Sequence, residues 1–387
     1  MNRMDMLKYI LINVIETLMR WVPIQYKRTL IKIGTPDRNS PVFLTCNYHL
    51  TVERLKRVLR GVDCYILPSN SRGFNVWCGA TGGHFNNHSV ISSLKTSGIE
   101  KLVDHRNIIL PQLSAAGIEK KVIKEKIGWK VIWGPVYAGD IPEFIENGFR
   151  KTLEMREVKF PLVQRIEMGV MWAFPFSMIS GLIAILLFPG ICLPLVAFIW
   201  LLSLLMFLSF PLYTRWLNPE RKNIAFSRYS VIFDFSRLPL IFWGCVIIIL
   251  VFYSILSGEF STGFIFRWCV ISLIFILLIS IDLMGSTPVY KSGLHKDRFL
   301  KVYLDEKKCK GAGFCEQVCP KNCFNVDVVQ HIARITEENR CVRCGACIIQ
   351  CPFDALCFKS PEGKFLPPEN IRKFKLNLFG KRLKQIL

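Results

Sequence analysis

Four apolar runs in the middle of the chain constrain its fold more strongly than any other feature. They cover residues 168–188, 191–212, 238–256 and 263–283. Each is about long enough to cross a hydrocarbon core of about 30 Å. One such run could be a buried helix of a soluble protein, but four in one block favour a membrane domain. Arg267, near one end of the last run, can extend its charge toward the membrane surface.

The charges between these runs predict how the chain crosses the membrane. The connection 213–237 is basic, whereas 189–190 and 257–262 contain no Lys or Arg. Its basic residues are Arg215, Arg221, Lys222, Arg228 and Arg237. Positively charged loops stay on the cytoplasmic side. We therefore predict a multi-pass protein of the cell membrane, in contact with membrane lipid, with both flanking soluble domains cytoplasmic.

Three domains follow from this division: a soluble domain at 1–165, a transmembrane domain at 166–288 with about four helices, and a soluble domain at 289–387. The net charge is +21. Because basic residues flank the apolar runs, this excess is explained by the membrane, and we predict no nucleic-acid partner. Residues 1–20 are amphipathic at best, and the first 33 residues contain no small-residue cleavage site after an apolar core, so we predict no signal peptide. The basic tail from Arg372 to Lys384 is either a solvated end or a contact for anionic lipid.

The first domain alternates short strands with helices. Strands are predicted at 42–45, 64–67, 108–110 and 130–133, and helices at 51–60, 88–97 and 116–127. Asp140 and Glu143 have the spacing of a capping box before a further helix. This alternation predicts an α/β fold with a mainly parallel, doubly wound sheet.

The last domain contains the cysteine spacing of bacterial ferredoxins. Cys341, Cys344, Cys347 and Cys351, followed by Pro352, match the pattern C-x2-C-x2-C-x3-C-P. Zinc sites rarely combine this spacing with a following proline. The pattern therefore predicts a two-cluster ferredoxin domain of the bacterial, α+β type.

An earlier copy of the motif is incomplete. Cys309, Cys315 and Cys319 keep the spacing, but Ala312 stands where the second cysteine belongs. In the crossed arrangement, Cys319, Cys341, Cys344 and Cys347 hold one complete [4Fe–4S] cluster. Cys309, Cys315 and Cys351 remain for a second cluster, either [3Fe–4S] or a [4Fe–4S] with another ligand.

Two further cysteines lie close to these motifs. Cys323 is either that fourth ligand or an extra cysteine beside the complete cluster. Cys357 is predicted to be a small core residue.

A glycine-rich run in the first domain is the other candidate site. Residues 75–83 lie at a strand-to-helix junction, where Cys78 is a buried small residue, a metal ligand or a nucleophile. His84 and His88, four residues apart, would share a helical face if they lay on one helix. His49 and His105 are possible ligand contacts.

Residues 34–161 resemble the corrinoid-binding domain of the mercury-methylating corrinoid protein family. The matching runs are Ser40-Pro41-Val42, Asn47-Tyr48, the run from Arg72 to Cys78, His105-Arg106, the run from Leu110 to Leu113, Gly134-Pro135-Val136 and Glu154-Met155-Arg156. That family continues with membrane helices and works with a two-cluster ferredoxin. The order of domains here is similar to a fusion of the two proteins.

The resemblance implies a corrinoid (cobalamin) bound at a cap helix. Its cofactor-binding residues would be Asn75, Val76, Trp77, Cys78 and Gly79, with Cys78 as the catalytic lower ligand to cobalt. The fused ferredoxin would reduce Co(II) to Co(I), and the domain would transfer a methyl group to Hg(II) or another acceptor. The implied partners are a methyl donor protein or folate-type methyl donor, and an upstream electron donor.

Three departures from that family leave the acceptor open. The family usually has Ala-Ala-Gly-Lys-Gly after the cysteine, whereas Gly79-Ala-Thr-Gly-Gly83 follows Cys78 here. A vicinal cysteine pair near the C-terminus, suited to a soft metal ion, is missing after Cys357, and Ala312 alters the ferredoxin motif. The alternative function is an iron–sulfur electron-transfer membrane protein without corrinoid chemistry.

Overall fold

The chain is described by a computed structural model that covers residues 3–214, 238–257, 261–280, 283, 300–327, 329–376 and 382–384. Its contacts divide it into two compact units. The first comprises Met1–Glu16, Val22–Lys159 and Phe299–Leu387, and the second comprises Thr17–Trp21 and Phe160–Arg298. The segments before and after the apolar runs therefore belong to one unit, and the domain boundaries at 165 and 288 stay predictions.

A five-stranded sheet forms the centre of the first unit. The strands are β1 (Ile31–Ile33), β2 (Val42–Cys46), β3 (Cys64–Ser69), β4 (Asn107–Leu110) and β5 (Lys130–Trp133). Their order is β1-β3-β2-β4-β5, and only β1, at one edge, pairs in the antiparallel direction. The predicted mainly parallel sheet is confirmed. Each predicted strand agrees with the structure to within two residues.

Both faces of this sheet are covered, as a doubly wound fold requires. Alternate residues of β2 belong to different cores: Val42 and Leu44 to one, and Phe43 to the other. Val90 and Leu94 join the first core, whereas Leu55 and Phe144 join the second. Because side chains alternate along a strand, one strand contributes to both layers.

Six α-helices and four 3₁₀ helices accompany the sheet in the described residues up to Lys159. The α-helices, together with one of the 3₁₀ helices, are α1 (Arg3–Leu18), α2 (His49–Val58), α3 (Val76–Thr81), α4 (Asn87–Thr96), the 3₁₀ helix Gln112–Ala116, α5 (Lys120–Ile127) and α6 (Ile141–Glu146).

Two expectations for these helices are wrong. The predicted helix 116–127 begins only at Lys120, because the chain forms the 3₁₀ helix first. Asp140 does not cap α6 through its side chain: its backbone is already helical (φ −85°, ψ −3°), whereas a capping residue needs an extended backbone.

The second unit contains four helices that are long and apolar enough to cross a membrane. They are α7 (Leu162–Leu187), α8 (Pro189–Leu208), α10 (Leu238–Leu256) and α11 (Thr262–Ser280), with a short α9 (Phe210–Tyr213) after α8. The four predicted runs are confirmed as helices. Residues 215–237, whose charges predict the orientation, lie outside the described residues, so orientation and cellular location stay predictions.

The C-terminal segment forms the expected small α+β arrangement. Its strands are β6 (Lys301–Leu304), β7 (Phe324–Asp327), β8 (Ile332–Ile335), β9 (Leu356–Lys359), β10 (Phe365–Leu366), β11 (Phe374–Leu376) and β12 (Arg382–Lys384). Its helices are α12 (Phe314–Val318), α13 (Ala346–Gln350) and α14 (Pro368–Lys373). The strands β7 and β8 pair as a hairpin, and β9 pairs with β6 and β10. Their buried side chains share a core with cysteines of both motifs.

Candidate functional site

The structure brings the motif cysteines together in the two sets that the crossed arrangement predicts. One cavity is lined by Cys319, Cys341, Cys344 and Cys347, which we call the complete set. A second cavity is lined by Cys309, Cys315 and Cys351, together with Ala312; we call these three cysteines the three-cysteine set. Four thiols around one cavity and three around the other fit iron–sulfur clusters in donor chemistry.

Backbone geometry explains why these cysteines converge. Gly313 and Gly345 have φ values of +74° and +77° and precede α12 and α13. The backbone therefore turns sharply just before the cysteine of each helix. Amide N–H groups point at the sulfurs: Ala333 donates to Cys309 at 3.4 Å, and Ala355 donates to Cys351 at 3.4 Å. Such hydrogen bonds stabilise a cluster-bound thiolate.

Cys323 lies with the complete set. Its N–H donates to the Cys319 sulfur at 3.2 Å, and hydrogen bonds to Cys319 and Cys341 raise the pKa of its own thiol. The structure therefore favours an extra cysteine beside the complete set over a fourth ligand for the three-cysteine set. Cys357 is half-buried on β9, where it pairs with Tyr303.

Burial favours the protonated form of several of these thiols. It raises the pKa of Cys315 to about 12, and it also raises the pKa of Cys344 and Cys347. Iron must therefore displace protons when it binds, which couples cluster assembly to pH.

The complete set packs directly on the sheet domain. Val318, Val342, Cys344 and Ala346 belong to the same buried core as the strands β2 and β4. The N–H of Val158 also donates to the carbonyl oxygen of Pro320, the residue after Cys319, at 2.9 Å. The ferredoxin segment and the sheet domain thus share one core at this cluster.

Two buried glutamines make this contact specific. The Gln112 amide donates to the carbonyl oxygen of Cys319 at 3.3 Å and to that of Arg156 at 2.9 Å. The Gln350 amide donates to the carbonyl oxygens of Ala115 and Ile118 at 2.8 and 2.6 Å. A buried amide without partners is costly, so these bonds fix the two segments in one register.

Charged residues also connect the sheet domain to the ferredoxin segment. Arg156 pairs with Glu316 at 2.9 Å, and Arg340 pairs with Glu157. Lys151 donates to Gln112 and to the carbonyl oxygen of Gln317, and burial lowers its pKa to about 7. An amine donates hydrogen bonds in either protonation state, so this contact persists across neutral pH.

The 3₁₀ helix that carries Gln112 also packs against α3, which we call the cap helix because it carries most of the residues predicted to bind a corrinoid. Gly117 makes this close approach possible: a Cβ there would lie 2.5 Å from the carbonyl oxygen of Ala80 and 2.6 Å from that of Phe85. One short segment, 112–117, therefore contacts the complete set on one side and the cap helix on the other.

Gly117→Ala should displace the cap helix. An added methyl group meets backbone oxygen atoms that cannot rotate away, so we expect a loss of about 1–3 kcal/mol in unfolding free energy. Chemical denaturation of the full chain in detergent measures it. Gly139→Ala is the matched control, because nothing lies within 4 Å of a Cβ at Gly139. Equal stability of the two variants would contradict the close packing.

The loop before the cap helix is held by Asn47. Its side-chain oxygen accepts from the N–H groups of Ser71 and Gly73 at 2.8 and 3.2 Å, and from the Ser71 hydroxyl at 3.0 Å. Arg72 and Gly73 both have positive φ, and a Cβ at Gly73 would lie 2.5 Å from the Pro23 carbonyl oxygen. This network fixes where α3 begins.

Within the cap helix, the residues predicted to bind a cofactor have different surroundings. The Asn75 side chain caps α3 by accepting from the Cys78 N–H at 2.8 Å. Trp77 and Gly79 are buried, and a Cβ on Gly79 would lie 3.2 Å from Phe85. Cys78 is exposed, and Val76 lines a cavity. Cofactor binding by these five residues stays a prediction.

That cavity has a volume of about 110 Å³ and lies at the carboxyl ends of the parallel strands. It is lined by Val76 together with Thr45, Pro111, Gly134 and Val136. The chain leaves β2 toward β3 on one side and returns to β4 on the other, so this is the switch point where α/β sheets bind ligands.

Three of the histidines have partners within the protein. The expectation that His84 and His88 share a helical face is wrong, because α4 begins at Asn87; His84 instead stacks on Phe74 at 4.7 Å, and burial lowers its pKa. His105 accepts from the Asn107 N–H and lies 3.0 Å from the Ser40 carbonyl oxygen. His49 lies next to Glu16.

Comparison with known proteins identifies relatives of both soluble segments. The family described as CO dehydrogenase/acetyl-CoA synthase delta subunit matches residues 10–145, and the 4Fe-4S binding domain matches residues 335–357. The acetyl-CoA decarbonylase/synthase complex subunit gamma of Methanopyrus kandleri is 32% identical over 127 residues, which is 32% of this chain and 27% of that protein. The subunit of Methanocaldococcus jannaschii is 33% identical over 127 residues, which is 32% of this chain and 26% of that protein.

The chain therefore joins a domain related to the CO dehydrogenase/acetyl-CoA synthase family to an iron–sulfur ferredoxin domain. It spans about a quarter of the length of the curated relatives that it matches. The prediction of a 4Fe-4S binding domain is confirmed. The relatives are subunits of an acetyl-CoA decarbonylase/synthase complex. The comparisons therefore support a relation of the first domain to this group of proteins, and mercury methylation stays a prediction.

Proposed function

We propose that the chain is a membrane-bound, corrinoid-dependent methyl-transfer protein with a built-in reductase. The ferredoxin segment supplies electrons one at a time, and the sheet domain holds the corrinoid at its cap helix. The methyl acceptor is Hg(II) or another species, and the methyl group comes from a donor protein or a folate-type donor. An external electron donor recharges the clusters.

The observation that carries this proposal is the position of segment 112–117. Gln112 donates to the backbone of Cys319 in the complete set, and Gly117 lies against Ala80 in the cap helix. Packed protein atoms therefore connect the two candidate redox centres without an intervening solvent layer along this segment. A ferredoxin that served only other proteins would not need its complete set on this surface.

The residues of the cap helix fit a corrinoid in their donor chemistry. Cys78 is exposed on α3, two residues after Val76, which lines the cavity at the switch point of the sheet, and a thiolate is a soft metal ligand. When bound, the corrinoid would supply a reducible cobalt that accepts and releases a methyl group. Cys78, whose position is set by the Asn75 cap and the Asn47 network, would be the residue that holds it.

Reversing the charge of Arg156 should slow internal electron transfer. Arg156→Glu removes the ion pair with Glu316 and places two carboxylates next to each other. Their repulsion weakens the contact between the ferredoxin segment and the sheet domain. We expect the reduction of added, bound cobalamin by the reduced clusters to slow about tenfold, which corresponds to about 1.4 kcal/mol of docking free energy. Anaerobic stopped-flow absorbance of the full chain measures this rate.

Two further variants make the test specific. Arg156→Glu combined with Glu316→Arg restores an opposite-charge pair and should recover the rate. Arg334→Glu alters an arginine that pairs with Asp327 at 3.9 Å on the ferredoxin surface, and it should leave the rate unchanged. An unchanged rate in Arg156→Glu would refute internal reduction. A chain that binds no cobalamin would favour the electron-transfer function without corrinoid.

A further inference from the structure

The N-terminal helix α1 has an unusual distribution of polar and apolar side chains. Its polar face is the one that packs against the protein. Asn13 accepts from the Arg54 side chain at 2.9 Å, the Tyr9 ring lies 4.3 Å from the Arg57 guanidinium, and Glu16 lies next to His49. Residues 9, 12, 13 and 16 share one helical face, and all of their partners named here lie on α2.

The opposite face of α1 is apolar and exposed. Met4 is 75% exposed, Leu7 58%, Leu11 50% and Val14 51%. A groove of about 390 Å³ runs along this side and is lined mainly by Leu7, Leu11, Ile15 and Ile24. A helix in water buries its apolar face and exposes its polar face. The arrangement in α1 is the reverse, so its outer face requires an apolar medium.

The chain that follows α1 indicates which medium this is. Residues Thr17–Trp21 belong to the unit of membrane-length helices. Arg20 pairs with Glu167 near the start of α7 at 2.9 Å, and the Trp21 ring packs edge-on against Trp172 at 5.2 Å. Trp172 is the fifth residue of the apolar run 168–188, and tryptophan near the end of a spanning run is typical of the membrane–water interface.

We propose that α1 lies in the membrane surface and that phospholipid acyl chains cover its outer face, defined by Met4, Leu7, Leu11, Val14 and Ile15. This inference rests on the proposed membrane location of the helices α7, α8, α10 and α11. Amphipathic helices bind this region by burying apolar side chains between the headgroups and the acyl chains. Here the helix reaches the same region with its polar face occupied by the sheet domain.

The proposed role of α1 follows from its contacts with α2 in the sheet domain. Through α2, which leads from β2 to β3, α1 attaches the sheet domain to the bilayer surface. The methyl-transfer domain is then restrained at two places, at α1 and at the start of α7. This restraint keeps the domain close to the membrane and restricts its tumbling.

Photocrosslinking tests the proposal on the full chain in vesicles of phosphatidylethanolamine and phosphatidylglycerol. A benzophenone amino acid replaces Leu11, with Val14 as a second site on the same face. Lys124, exposed on α5, is the polar control, and Ile274, 51% exposed on α11, is the control for the spanning helices. Mass spectrometry identifies each adduct as lipid or protein.

We expect phospholipid adducts at Leu11 about tenfold above those at Lys124, because the outer face of an interfacial helix contacts acyl chains. Lipid adducts at Ile274 but none at Leu11 would overturn this inference and leave the membrane location intact. Protein adducts alone at Leu11, with either a second copy or another protein, would also overturn it. No lipid adduct at Ile274 would overturn the membrane location and this inference together.

Discussion

Replacing Cys78 with alanine should abolish the sulfur-to-cobalt absorption of the cobalamin-loaded protein and most of its methyl transfer. The side chain is exposed on α3, so its removal takes the soft donor away from the surface where the corrinoid is proposed to bind. We expect a loss of at least about 100-fold in methyl-transfer rate, because the loss of an outer-shell partner already costs about 10–100-fold and Cys78 is proposed as the ligand itself. Ultraviolet–visible spectra and single-turnover transfer measure the two effects.

A histidine at this position provides the informative comparison. Cys78→His keeps a metal ligand but replaces sulfur with nitrogen, so corrinoid binding should persist with a different spectrum. Gly139→Ala, with open space around it, should change neither property. Cobalt spectra that are the same in Cys78→Ala and the unaltered protein would reject Cys78 as the lower ligand.

Replacing Ala312 with cysteine should convert the second cluster. Ala312 lines the cavity with Cys309, Cys315 and Cys351, so a thiol there completes four donors around one cavity. We expect the unaltered protein to hold one [4Fe–4S] and one [3Fe–4S] cluster after mild oxidation. Electron paramagnetic resonance should show the [3Fe–4S] signal, and that signal should disappear in Ala312→Cys.

The control is a change at Cys323. This residue lies beside the complete set, so Cys323→Ala should leave the [3Fe–4S] signal in place. Iron analysis of the same samples should show one more iron in Ala312→Cys. A protein with two full cubanes and no [3Fe–4S] signal after oxidation would mean that another ligand takes the fourth position.

The features predicted well from the sequence are those that depend on local spacing. Cysteine spacing at 341–351 identifies the ferredoxin domain, because each cluster ligand is fixed by residues next to it in the chain. The apolar runs identify membrane-length helices for the same reason. Strands β2 to β5 are equally local, since a buried parallel strand is a short apolar run.

Local reasoning fails where backbone details decide the outcome. His84 and His88 are separated because Asn86 caps α4 and forms a capping box with Ser89. This signal was present in the sequence, as an asparagine three residues before a serine. The opposite error occurs at Asp140. The spacing of Asp140 and Glu143 fits a capping box, but the backbone of Asp140 is already helical and its side chain does not cap α6.

The contacts that build the candidate site could not be read from the sequence. Gln112 and Cys319 are 207 residues apart, and Gln350 and Ala115 are 235 apart. No local sequence pattern marks a glutamine whose amide donates to a distant carbonyl oxygen. The roles of Asn47 and Gly117 are likewise recognised only from their contacts with the folded loop and with α3.

The contact between the ferredoxin segment and the sheet domain, a shared buried core with hydrogen bonds and ion pairs around it, has a consequence for the proposed electron transfer. Separate proteins held by a few hydrogen bonds and ion pairs dissociate readily, but a covalent connection raises the effective concentration to about millimolar. A modest interface is then occupied most of the time. Under the proposed function, the tethered ferredoxin segment cannot diffuse to competing acceptors, so the electrons that leave the complete set are directed to the bound corrinoid.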